Sequence, residues 1–380
     1  MEAPHRNLGL DALRGLAVIA MIQQHLGAWL TRLRGADGPL RFVLYELNML
    51  GGLAAPAFLT IAGVGLGLER ARVTAEGAAG YRRTLWRRGA ALAVVAYALN
   101  WLVPVWFSPS SFYVLHTIAF TWLLVPSLPR LSPGRWTALG VLVLLAGWAA
   151  QVALHTPFTI DNTRMGDTSL PGGALRLALV EGHFPLLPWL ALPFFGLAAA
   201  SAWLEGRSRW MAGSALVALA LSGALLLARP LFGHLPTVLA RAARISFYPA
   251  STAFLLGAAG CSLLLVRASL VWGASERAPG RLSIGVALGR SSLTWFVLHV
   301  LVFRQLGFVL GLQNFLPAAG VLGVIVVVCG LCAWLARRWA EADYRGSLEW
   351  WLRQVGGAGS VGPGAPPNGP PADGSAPPPS

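Results

Sequence analysis

Residues 10–30 read LDALRGLAVIAMIQQHLGAWL. The run has the length and apolar content of a bilayer-spanning helix, which needs about 20 predominantly apolar residues. Yet it carries Asp11, Arg14, Gln23, Gln24 and His25. On a helix at about 100° per residue, Asp11, Arg14, Val18 and His25 fall on one face. An Asp or Arg at the centre of a membrane helix costs roughly 2.5–3.5 kcal/mol on insertion scales, and less near an end. That face therefore turns toward protein or a water-filled cavity. A polar stripe on an otherwise apolar helix points to a membrane bundle with a functional interior.

The remainder of the chain agrees. Of 380 residues, 56% are hydrophobic and 12% charged, with a mean hydropathy of +0.61. Apolar blocks of roughly 18–25 residues recur, each long enough to span a bilayer. The sequence predicts an all-α, polytopic integral membrane protein with about ten spans, near 9–30, 48–68, 88–107, 112–128, 136–154, 184–203, 210–228, 246–266, 283–304 and 317–336. The polar stretch 155–183 is expected to be a structured outer loop with a short surface helix. All 29 basic residues are Arg, against 15 acidic residues. With the N-terminus inside, eighteen arginines fall on the inner side and nine on the outer. Such a bias places both termini in the cytoplasm of a cell with an inner (plasma) membrane. The net charge of +14 then reflects topology and anionic headgroups rather than nucleic acid.

Residues 1–340 form the expected transmembrane domain. Residues 341–380 form a cytoplasmic tail, rich in Pro, Gly and Ser and expected to be disordered from about 356. The first apolar run is read as a retained span, because Asp11, Arg14 and the Gln-Gln-His stretch interrupt it and no small-x-small site follows. Cys261, Cys329 and Cys332 all lie in apolar runs and imply neither a disulfide framework nor a redox site. No metal site is expected, since no His-x-x-x-His or His-Glu-x-x-His pattern occurs.

Asp11 and Arg14 are spaced to pair at the inner end of the first helix. His25 lies about 21 Å further along the axis, in the outer half of the membrane. The expectation is a crevice with charge at its inner mouth and one imidazole at its floor. An imidazole titrates near neutrality and suits a general base. His299 shares a face with Ser292 and is a second candidate. His116 is a third, with an interhelical hydrogen bond as the plainer alternative for both. Glu181 and His183 stand at the outer surface, where an acceptor would arrive, with Tyr45 and Asn48 in the first outer segment. Arg83, Arg87 and Arg88 cluster at the inner start of the third span. With Arg14 and Arg290 they form candidates for a phosphate-bearing ligand, because guanidinium forks bind phosphate bidentately. Lipid headgroups and the topology rule are the favoured explanation for Arg83, Arg87 and Arg88, whereas Arg14 and Arg290 lean toward ligand binding.

LDALRGLAVIAMIQQH (10–25) resembles the first-span signature of the transmembrane acyltransferase superfamily, in which Asp-x-x-Arg precedes a His in the same helix. GRSSLTWFVLH (289–299) resembles its late-span motif. FYPASTAFLLG (247–257) and HFPLLPWLALPFFG (183–196) resemble bacterial relatives of the heparan-α-glucosaminide N-acetyltransferase catalytic domain. The resemblance implies transfer of an acyl group, in the first instance acetyl from acetyl-CoA, to a sugar or glycan on the far side of the membrane. It implies roles for Arg14, His25 and His299. One departure is visible. Heparan-type enzymes carry a proposed active-site His in the loop after span one, whereas residues 31–50 contain none. The alternative from a different class is a transporter or lipid-binding membrane protein whose polar stripe lines a permeation path.

Overall fold

The computed structural model describes residues 6–32, 38–232 and 237–357. The tail expected to be disordered lies outside them from residue 358, as do His5, Arg34 and His234. Among the described residues the chain is helical, with one isolated bridge between Thr31 and Leu316. The principal helices, numbered in chain order, are α1 (Leu8–Leu30), α2 (Pro39–Gly51), α3 (Ala54–Ala71), α4 (Ala78–Leu102), α5 (Val114–Leu124) and α6 (Pro133–Ala153). They continue with α7 (Ala191–Leu204), α8 (Ser208–Phe232), α9 (Thr252–Gly273), α10 (Ile284–Arg290), α11 (Ser292–His299), α12 (Ala318–Glu341) and α13 (Leu348–Val355).

Seven helical stretches among the described residues are long and apolar enough to cross a membrane: 39–71, 133–153, 173–204, 208–228, 252–273, 292–309 and 318–341. Each overlaps one of the ten expected spans. The other three expected spans are α1, α4 and α5. The polar stripe dilutes α1, four arginines load the first half of α4, and the apolar helix beginning with α5 covers only Val114–Ser127. Large apolar side chains such as Val326 (72% exposed) and Leu142 (60% exposed) face outward from α12 and α6. An apolar belt of this kind fits hydrocarbon.

Three departures from uninterrupted spans matter for the site. The second expected span breaks at Gly52–Leu53, giving α2 and α3. The ninth breaks at Ser291, which leaves helical geometry at φ −117°, ψ 22°. Its Oγ donates to Ala287 O at 2.9 Å and accepts from Trp295 Nε1 at 3.0 Å, so the break is hydrogen-bonded rather than loose. Beyond His299 the same segment widens into π-helical turns over Val300–Leu306. Broken helices are tolerated in a bilayer where neighbours satisfy the freed backbone groups.

α1 sits in the interior, packed against α2, α3, α9, α10 and α12. Its approach to α10 is backbone to backbone. A Cβ on Gly289 would collide with the Asp11 carbonyl, and one on Gly15 with the Gly285 carbonyl. Small residues at such crossings are the usual means of close helix packing in membranes. The contact fixes the helix bearing His25 relative to the one leading to His299. After α12, the short amphipathic α13 folds back onto α4 and α11. Ser347 Oγ caps it by accepting from Trp350 N at 3.0 Å.

Candidate active site

The break at Ser291 and the central position of α1 bring two residues 274 positions apart into contact. His25 Nδ1 and His299 Nε2 lie 2.8 Å apart, with the rings parallel to within 3°. The hydrogen-bond network assigns the tautomers. His299 Nδ1 lies 3.1 Å from the Trp295 carbonyl, one turn back on α11. A carbonyl only accepts, so His299 Nδ1 carries the proton. His299 Nε2 then offers a lone pair, which accepts the proton on His25 Nδ1. In the neutral pair this leaves His25 Nε2 with a free lone pair and no hydrogen-bond partner among the described residues. His299 is buried and His25 only partly so. A chain of Trp295 carbonyl, His299 and His25 can orient a base at Nε2 and stabilise the cation formed when it takes a proton, the logic by which a carboxylate serves a catalytic histidine.

Aromatic rings frame the pair. Trp29, one turn along α1, stacks on His25 at 4.8 Å, and Trp106 meets it edge-on at 5.3 Å. Arg304, in the wide turns after His299, sets its guanidinium 5.8 Å from the Trp29 ring and 5.5 Å from the Trp106 ring. Arg304 Nη1 donates to Gln313 Oε1 at 2.7 Å, and Gln313 Nε2 donates to Phe303 O at 3.1 Å. The segment carrying Gln313 is pinned to the end of α1: Asn314 N donates to Trp29 O at 2.8 Å and Leu316 N to Leu30 O at 2.9 Å.

The 155–183 loop is built around a carboxylate. Glu181, fully buried, accepts from Thr156 Oγ1 at 2.7 Å and Arg176 Nη2 at 2.7 Å, with Arg164 Nη2 at 3.1 Å. Its charge is thus spent inside the loop. His183 is also buried; its Nε2 lies 2.7 Å from Asn162 Oδ1, and Asn162 Nδ2 donates to Trp106 O at 2.7 Å. His183 therefore reaches the imidazole pair through Asn162 and Trp106. His116 Nδ1 accepts from Tyr113 N at 3.2 Å and closes the N-terminal cap of α5.

At the N-terminal end of α1, Asp11 is buried and accepts from Arg6 Nε at 2.6 Å, from Arg6 Nη2 at 2.9 Å and from Arg14 Nη1 at 3.3 Å. Arg88 pairs with Glu69 at 3.6 Å. Arg290 lies over the buried Tyr344 ring at 4.7 Å. Arg88 Nε and Arg290 Nε are buried without partners. Arg83 and Arg87 point outward. Near the C-terminal end of α1, Asn48 Oδ1 accepts from Gln23 Nε2 at 3.0 Å, binding α2 to α1, while Tyr45 is 60% exposed.

Two surface depressions lie away from the histidines. One of about 250 Å³ is lined by Trp334, Arg337, Arg338 and Glu341. The other, about 100 Å³, lies among Gly67, Arg70, Arg130 and Trp136. The open crevice expected along α1 is not among them. Between Arg14 and His25, Val18 and Ile22 are fully buried and packed with Ala287, Leu288 and Trp295. The polar stripe is thus two polar ends separated by a dry middle, because two apolar turns on that face find complementary small and aromatic neighbours. Among the described residues no group of three His, Cys, Asp or Glu side chains is placed to hold a metal.

Sequence reasoning missed Trp29, Trp106, Arg304, Gln313 and Glu349. Trp29 was accessible, since it stands i+4 from His25. Arg304 entered only as an outer-side charge. Trp106, Gln313 and Glu349 are joined to the site by tertiary contact alone. Glu349 of α13 accepts from Leu293 N at 2.5 Å, Thr294 N at 3.3 Å and Thr294 Oγ1 at 2.6 Å, and so caps the helix that ends at His299.

A search of curated proteins finds no match. The family model described as heparan-alpha-glucosaminide N-acetyltransferase, catalytic, matches residues 6–230, more than half of the chain, beginning just before Asp11 and running through the His25 helix and the outer loop. By this match over more than half of its length, the chain belongs to the heparan-alpha-glucosaminide N-acetyltransferase catalytic-domain family of membrane acetyltransferases.

Proposed function

We propose that the protein moves an acyl group, in the first instance acetyl, from cytosolic acyl-CoA to an extracytoplasmic sugar or glycan. The observation that carries this reading is the assigned tautomer pair, which leaves a lone pair on His25 Nε2 beside the outer end of α1. The acceptor hydroxyl or amine gives its proton to His25 Nε2 as its oxygen or nitrogen attacks the thioester carbonyl. The C–S bond breaks and the thiolate leaves, to be protonated as the imidazolium discharges. His299 holds the imidazole and shares the positive charge. His116 and His183 brace the surrounding outer structure, and Asp11 orients Arg14 rather than touching substrate.

The inner arginines fit a phosphate-bearing donor. Arg14, Arg88 and Arg290 face inward, and the last two have unpartnered buried Nε groups. Exposed Arg83 and Arg87 suit the cytosolic end of such a ligand or anionic headgroups. In this reading all ten helical passes cross the inner (plasma) membrane, both termini are cytoplasmic, and residues 1–340 form the catalytic unit with 341–380 as its tail. The dry seam at Val18 and Ile22 opens when the acyl arm enters. Glu181 acts through the loop it braces, leaving Tyr45 and His183 nearer to the acceptor path than Asn48.

Proteoliposomes loaded with labelled acetyl-CoA and supplied externally with amino sugar test the reading. Label is expected on external sugar, and on none when His25 is replaced by Ala. Counterflow of sugar without acyl transfer would overturn it in favour of transport.

A further inference from the structure

Arg304 lies beyond residues 6–230, the part of the chain matched to the family. Its guanidinium stands over the Trp29 and Trp106 rings, the two rings that pack on His25. Gln313 holds Nη1, and Nε is buried without a partner. Among the described residues no carboxylate forms an ion pair with it, and Gln313 is neutral. Several partly buried arginines are compensated, Arg14 by Asp11, Arg88 by Glu69, and Arg164 and Arg176 by Glu181, whereas Arg304, like Arg70, Arg241, Arg267 and Arg290, has no ion pair among the described residues; of these only Arg304 stands beside the histidine pair. A guanidinium taken partly out of water without a counter-charge is costly, and the cost falls when an anion arrives. Stacking on two indoles and the bond to Gln313 fix the fork in advance, so little ordering remains on binding.

Arg304 follows His299 by five residues in the segment running toward the outer surface, and its tether Gln313 is pinned beside Trp29 at the end of α1. A molecule reaching His25 Nε2 from outside meets this charge beside the half-buried Trp106, Trp29 being buried against His25. Resting on the acyltransfer reading for its position in the reaction, we infer that Arg304 selects an anionic acceptor: a sugar unit bearing a carboxylate or phosphate, whose anion engages the guanidinium.

The test is calorimetric binding to the full chain in phosphatidylcholine nanodiscs, with glucuronic acid, glucosamine 6-phosphate and neutral glucose as probes. Wild type is expected to bind at least one anionic sugar about tenfold or more tightly than glucose, the usual yield of one charge-assisted contact. Arg304→Gln is expected to abolish the preference. Gln313→Glu keeps the shape but supplies an internal counter-ion, and is expected to abolish it too, so a folding defect in the first variant does not decide the matter. Equal binding of charged and neutral sugars by wild type would overturn the inference, as it would if a lipid phosphate were the natural partner. So would a preference that survives in Gln313→Glu. A preference that behaves as expected in a protein without acyl transfer upholds the anion site and removes the acyltransfer reading instead.

Discussion

The two ends of α1 handle polarity in opposite ways. At the N-terminal end, charge meets charge: Asp11 is gripped by Arg6 and Arg14, and Arg88 leans on Glu69. At the C-terminal end, two imidazoles are joined by one hydrogen bond beside an Arg with no carboxylate partner among the described residues. The first arrangement is self-sufficient as structure and leaves only selected N–H groups unspent. The second leaves a lone pair and a positive charge without a charged partner among the described residues. Proximity to a charge cluster is therefore a poor guide to chemistry here; the unspent valences mark the reactive end.

The largest effect that would break this contrast is at His25. His25→Ala is expected to lower kcat for acyl transfer by roughly 10²–10⁴, the usual contribution of a general base, with detergent-phase thermal stability near that of wild type. His299→Ala is expected to cost less, about 10–10² in kcat, because Nε2 of His25 remains but loses its partner and its fixed tautomer. Equal losses in both variants would mean that either imidazole can serve as the base.

The next expected effect is on stability rather than rate. Glu181→Ala leaves Arg164 and Arg176 buried without their acid and is expected to destabilise the outer loop by roughly 3–5 kcal/mol, read as protease sensitivity confined to 155–183. Glu349→Ala removes the cap of α11 and is expected to cost about 1–3 kcal/mol, with kcat falling because His299 loses its anchored helix. Unchanged turnover there would detach α13 from the site. The smallest effects sharpen the inner end. Arg88→Ala and Arg290→Ala are expected to raise the KM for acetyl-CoA about tenfold, while Arg83→Ala and Arg87→Ala change it by less than about twofold. Similar shifts in all four would assign them to headgroup attraction instead.

Much of this was legible in the sequence, for identifiable reasons. Span-length apolar blocks report the bilayer directly, and seven of the ten expected spans reappear as helices meeting the length and hydropathy needed to cross. The polar stripe on α1 announced that its inward face mattered. The dry middle was not legible, because whether Val18 and Ile22 line water or meet Leu288 and Trp295 depends on a partner helix more than 260 residues away. For His299 the sequence allowed two roles, orienting His25 or the thioester, and did not decide between them; its contact with His25 rests on the Ser291 break and on the backbone approach permitted by Gly15 and Gly289. Glu181 looked like an acceptor ligand from its outer position. Its engagement by Arg164, Arg176 and Thr156 depends on how the loop closes, which local patterning does not encode.

The most direct measurement is the side-chain nitrogen spectrum of the full chain in lipid, with ¹⁵N-labelled histidine and His25→Gln and His299→Gln for assignment. The expected result is a protonated Nδ1 and bare Nε2 on His25, with His299 also protonated at Nδ1 and the two rings coupled through one hydrogen bond. A proton resident on His25 Nε2, or two rings with no coupling, would contradict the assignment of that nitrogen as the base.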